Sequence, residues 1–209
     1  MYVAPVDRGL DEQEWRTFVE AQGFGHLAAA GRGREVPVVV PTQFVLVGDV
    51  VLLHVVAANP IVEALAEQPR AVLSVAGDWA FIPSHWKVIG SEDPMMGIPT
   101  TYYAAVQLRG AAEVIDDAGA IAEVLRTQLG ALQPGVPVAD PFDAHSATLR
   151  AIRAIRLRVD DVEAKFKFGG NVDAAHRLAV VDRLEARGGP NDHDAANHTQ
   201  RRLAASDED

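Results

Sequence analysis

The 209-residue chain contains no cysteine. That excludes a disulfide framework, a thiolate metal site and a cysteine nucleophile, and it fits a reducing, cytoplasmic setting. No uninterrupted apolar segment is long enough to span a membrane, and the opening Met1-Tyr2-Val3-Ala4-Pro5 has neither the basic nor the apolar region of a signal peptide. Basic residues are outnumbered 29 to 19, for a formal net charge of −10. A surface of that sign argues against direct nucleic-acid binding, which needs a basic footprint. Internal repeats, a helix-turn-helix with a basic recognition helix, and a separate nucleophile–base constellation are also missing. The 48% hydrophobic content is ample for a core.

The chain is organised around Val50-Val51-Leu52-Leu53-His54-Val55-Val56-Ala57-Ala58-Asn59-Pro60, an apolar run broken by one histidine and followed by a helix start. Asn59 is a favoured N-cap and Pro60 suits the first helical position. A strand thus feeds a helix whose free N–H groups form a ready anion site. The alternative is a plain strand–helix corner with a hydrogen-bonded structural histidine.

Before this stretch, Asp11 and Glu14 have capping-box spacing, and Trp15, Phe18 and Val19 supply one helix face. Phe24–Ala30 reads as a strand, Gly31–Arg34 as a hairpin turn, and Val36–Val47 as a long β-branched run. Pro37 and Pro41 mark that run as an edge, a bulge or a bend. After it come a strand from Arg70, an extended segment through Trp79–Ile89, and an alternating strand from Thr101 to Ile115. Asp116-Asp117 caps a helix carrying Ile121, Val124, Leu125 and Leu129, and a further helix spans about 144–153. Ile155, Leu157 and Val159 alternate, as do Lys165-Phe166-Lys167-Phe168, before a last helix over about 172–186 with Ala174, Leu178, Val181 and Leu184 inward. Many short strands with singly inserted helices indicate a β-barrel with peripheral helices. Residues 1–187 form that domain. Residues 188–209, polar and acidic and including His193 and His198, are expected to stay disordered.

Four segments then resemble one family in the same order. His54–Pro60 resembles the "H-x-A-R-A-N-P" of PaiB-type proteins, the FMN-binding split-barrel group often labelled negative transcriptional regulators. Phe81–Trp86 is similar to its "Y-I-S-P-S-W", Ile98–Tyr103 to "V-P-T-W-N-Y", and Glu163–Asn171 to "E-G-K-F-K-L-S-Q-N". Met1-Tyr2 and Pro5 fit "M-Y-x-P". The resemblance implies a six-stranded FMN-binding split barrel that forms a homodimer with its cofactor at the subunit interface. By motif, His54 and Asn59 would lie beside the cofactor, with Lys165 and Lys167 near it. Ser84, Trp86, Thr100 and Tyr102 would line the pocket.

The chain departs from the pattern at several polar positions. The arginine before "A-N-P" is Ala57, "W-N" is Thr101-Tyr102, "S-Q" is Gly169-Gly170, and "S-H-L-P" reads Val38-Val39-Val40-Pro41. An arginine at 57 would offer a phosphate a charged hydrogen bond of roughly 1.5–3 kcal/mol. The helix end supplies only about 0.3–1 kcal/mol. Lys165, Lys167 or Arg109 must then make up the difference; the other reading of the two lysines is the solvated face of an amphipathic strand. With FMN bound, the expected function is a flavin-dependent oxidoreductase acting on a small-molecule substrate. The rival cofactor is haem b, bound through His54 or His85 as axial ligand, as in haem-degrading or piperazate-synthase-like relatives that form an N–N bond. The third reading is a non-enzymatic PaiB-type transcriptional regulator.

Overall fold

The structure, a computed structural model, describes residues 1–141 and 146–206. Seven strands run as β1 (Phe24–Ala29), β2 (Val38–Gln43), β3 (Val45–Val47), β4 (Val50–Val56), β5 (Arg70–Ile82), β6 (Thr100–Ile115) and β7 (Ile152–Lys167). Helices are α1 (Glu12–Gln22), α2 (Pro60–Glu67), α3 (Ala118–Leu132), α4 (Ser146–Arg150), α5 (Ala174–Arg187) and α6 (Asp192–Ser206), with short 3-10 turns at Pro5–Asp7, Ser84–Trp86 and Pro94–Met96. The strands form one antiparallel sheet in the order β2-β1-β5-β6-β7-β4-β3.

Seven strands replace the expected six because the Val36–Val47 run breaks at buried Phe44, whose N–H donates to the Gly23 carbonyl instead of a ladder partner (3.0 Å). Phe44 alone separates β2 from β3, yet these strands occupy the two ends of the strand order. Chain continuity therefore brings both edges to one place, while the ladder between them stays open. Pro41 lies in edge strand β2, where its missing N–H leaves no central ladder position empty.

The chain divides into two compact units. One comprises Val19–Val75 and Gln107–Val162; the other comprises Met1–Phe18, Ala76–Val106 and the chain from Glu163 onward. In the former, β4 pairs with β7 from Val50↔Arg158 to Val56↔Ile152. A core of Ile115, Ile121, Val124, Leu149 and Ile152 is buried there beside α3. Helix starts follow the side chains read from the sequence. Asn59 accepts from the Ile61 N–H (3.0 Å) and Asp117 from the Ala120 N–H (2.9 Å).

Two expectations are corrected in the other unit. Residues 188–209 are not a disordered tail as far as they are described, since Asp192–Ser206 is helical and buries Ala195, Ala196, His198, Thr199 and Arg202. Its polar groups are buried because they are partnered. Asp192 meets the Arg187 guanidinium through two bonds (2.7 and 2.6 Å), His198 Nε2 lies 2.8 Å from Asp78 Oδ2, and Arg202 reaches Glu14 (3.3 Å). A count of apolar residues is blind to such pairing. The inward face of α5 is Arg177, Val180, Val181 and Leu184, whereas Ala174 and Leu178 are exposed. A buried arginine in the stripe shifts the helical register away from the purely apolar one. The part of the expected 144–153 helix before Ser146 lies outside the described residues.

Candidate functional site

Alternation along β6 buries Tyr102, Ala104, Val106 and Leu108. On β7 it buries Phe166 and turns Lys165 and Lys167 the other way. Thr100, Tyr102 and Lys167 consequently meet in a cleft of about 370 Å³, with Lys87, Gly169 and Asn171 also on its lining. Lys167 Nζ donates to Thr100 Oγ1 at 2.7 Å. Lys87 Nζ sits 5.7 Å from the Tyr102 ring centroid. Among the described residues neither lysine pairs with a carboxylate. Burial, followed by the charge of Lys167, pushes the Lys87 ammonium below its ordinary pKa. The walls are apolar at Val6, Ile98 and Pro99.

Tyr102 forms the floor and is 1% exposed. Among the described residues its hydroxyl has no hydrogen-bond partner, and burial pushes its pKa up to about 12. The phenol fits only because residue 169 is glycine. A Cβ there would lie 2.4 Å from Tyr102 Oη, and the backbone already holds φ at +78°. Two departures from the family pattern, at 102 and at 169, are thus one complementary change. Gly170 is required for a similar reason, since a Cβ would meet the Val6 carbonyl at 2.2 Å.

The N-terminal segment supplies one wall through Ala4, Val6 and Asp7, and Lys165 holds it in position. Lys165 Nζ donates to the Tyr2 carbonyl (3.2 Å), lies 3.8 Å from Asp7 Oδ2 and approaches the Tyr103 ring (5.6 Å). Lys165 is therefore a positioning residue, not a solvated one. Trp86 is likewise occupied: Arg187 stacks over its ring at 4.6 Å and Arg183 donates to its carbonyl. The Ser84 carbonyl accepts from the Lys87 N–H (2.9 Å) and closes the turn that presents Lys87. His85 is exposed, with its ring edge-on to Trp86.

His54 and Asn59 do not line this cleft. The strand places His54 on the exposed face of β4, and its Nδ1 lies 2.8 Å from Oε1 of buried Gln128. Asn59 spends its side chain on the α2 cap. Sequence reasoning missed Lys87, which sits just past a quoted motif. It also missed His198, which stacks on Phe168 (4.4 Å between centroids, 13° between planes).

Sheet topology and peripheral helices define the class as a split barrel. Solved structures of two such proteins share the fold. The flavocytochrome Anf3 from Azotobacter vinelandii matches with TM-score 0.58 and 25% identity over 82% of this chain and 74% of that one. The FAD and heme binding protein from Mycobacterium smegmatis matches with TM-score 0.61 and 22% identity over 82% and 78%. Protease synthase and sporulation protein PAI 2 of Bacillus subtilis (strain 168) is 22% identical over 198 residues, covering 91% of this chain and 92% of the relative. Residues 1–161 match the family described as "Putative FMN-binding domain". The chain belongs to that FMN-binding domain family, and FMN is the cofactor the family defines. The site's donor set fits such a ligand, with two ammonium groups that meet no carboxylate among the described residues and with apolar walls. No helix among the described residues is long and apolar enough to cross a membrane.

Proposed function

We propose that the protein is a flavin-dependent oxidoreductase acting on a small-molecule substrate in the cytoplasm, as a homodimer whose partner completes the FMN site. The observation that carries this reading is the cleft that both Lys87 and Lys167 line, between apolar walls, neither of them paired with a carboxylate among the described residues. When bound, FMN supplies the electron-transfer chemistry. The chain's own residues bind and orient. Lys87 and Lys167 balance anionic charge, Tyr102 stays protonated at the floor, and Lys165 keeps the Tyr2–Asp7 wall in place. The exposed side chains of Met95, Met96 and Ile98 support dimerisation, because a second copy covering them removes apolar surface from water.

A second reading, haem b, rests on the environment of His54. An imidazole whose Nδ1–H is held by Gln128 Oε1 presents its Nε2 lone pair outward, the arrangement that orients metal-ligating histidines. Under it His54 is the axial ligand, and His85 is the other candidate. Purified protein reconstituted separately with FMN and with haemin, then desalted, discriminates the two by its absorption spectrum. Retained flavin bands support the first reading. A Soret band lost in His54→Ala supports the second, and uptake of neither leaves the non-enzymatic regulator. Light scattering of the reconstituted protein tests the dimer.

A further inference from the structure

We infer that Lys87 and Lys167 form a phosphate clamp, and that the cleft receives the terminal phosphate of the flavin mononucleotide; the inference rests on the flavin reading and assigns which part of the ligand lies there. The motif arginine that would have met a phosphate is Ala57, and the Asn59 helix end spends its capping side chain on the Ile61 N–H. Neither supplies a side-chain cation. The cleft does. Two ammonium groups face one space, one of them half-buried against the Tyr102 ring, in a chain whose net charge is −10.

Two like charges held together without a counter-ion destabilise the free protein, and each is relieved when an anion enters. A phosphate monoester is dianionic near neutral pH, so it matches both lysines at once. Asp7, the carboxylate on the lining, lies beside Lys165 and leaves the pair to the ligand. Thr100 fixes Lys167 through its hydroxyl and so pre-orients the ammonium.

The test compares FMN with riboflavin, which differ only by the phosphate, by fluorescence titration of the wild-type protein and of Lys87→Gln and Lys167→Gln. Wild type binds FMN at least about tenfold more tightly than riboflavin, as expected for charge-assisted hydrogen bonds. Either substitution cuts that ratio by about tenfold or to unity while riboflavin affinity stays constant; the unchanged riboflavin value reports that the variant is folded. Equal affinities for the two flavins in wild type, or a ratio unchanged in both variants, overturns the clamp and leaves the flavin reading standing. Binding of neither flavin refutes the flavin reading. In that case inorganic phosphate titrated alone decides: uptake by wild type that is lost in Lys87→Gln supports the clamp, and no uptake overturns it too.

Discussion

Replacing Tyr102 by phenylalanine deletes a single oxygen from the cleft floor, and the structure fixes the sign of the result. The hydroxyl is sealed from water, meets no partner among the described residues and, with its pKa pushed up to about 12, keeps its proton throughout the neutral range. A buried donor without an acceptor costs about 1–3 kcal/mol. Phenylalanine retains the edge-to-face contact with Phe168 (6.0 Å, 75°) and the ring beneath Lys87, so little is lost in exchange. Tyr102→Phe should therefore stabilise the free protein by about 1–3 kcal/mol, at roughly 2–4 °C of melting temperature per kcal/mol for a chain of this size. Thermal unfolding followed by circular dichroism, in buffer free of phosphate and flavin, measures the change. A variant that melts below the wild type without ligand refutes the reasoning, since it means the hydroxyl already has a partner in the folded state.

Other positions carry predictions of their own. Gly169→Ala places a methyl against Tyr102 Oη at a positive φ, and should cost roughly 2–4 kcal/mol in denaturant unfolding. In a Tyr102→Asn background the penalty should fall, and full additivity of the two changes would contradict their complementarity. Asp192→Asn weakens a nearly buried carboxylate's bonds to Arg187 and to the Gly189 N–H. It should cost about 1.5–3 kcal/mol, and faster hydrogen exchange in α6 than in wild type would localise the loss. His176 is held above its ordinary 6.5 by the Asp173 carboxylate first and Glu92 second. A raised pKa means the imidazolium pair stabilises the fold fully below 6.5 and loses that contribution as pH rises through the elevated value. Melting temperature should accordingly decline with rising pH in that window and decline less in His176→Ala. Below it, protonation of Asp173 and Glu92, both held under the usual carboxylate range by hydrogen bonds, removes the pair from the acid side.

How much of this could be read from the residues depends on whether the information is local. N-caps at Asn59 and Asp117 are legible because a side chain bonds its own helix start two or three residues on. Alternation in β6 is legible because one face is buried throughout. Lys167, Thr100 and Tyr102 lie in segments that resemble the family's motifs, and the fold brings them into one cleft. Lys87 carries no local signal, since a lysine after a 3-10 turn gains meaning only from the β6 ring it covers. His54 is a polar interruption in an apolar strand. Whether such a residue points inward is decided by strand parity, and Leu53 and Val55 take the buried side. α6 was hidden because its burial depends on partners far away in sequence. Asp78 is 120 residues from His198, and Glu14 is 188 from Arg202.

The most direct test of the account is a crystal structure of the protein grown with FMN. The account predicts the phosphate within hydrogen-bonding distance of both Lys87 Nζ and Lys167 Nζ, with a second subunit over Met95 and Ile98. A flavin seated elsewhere, or a phosphate held at the start of α2 with both lysines left in solvent, would contradict it.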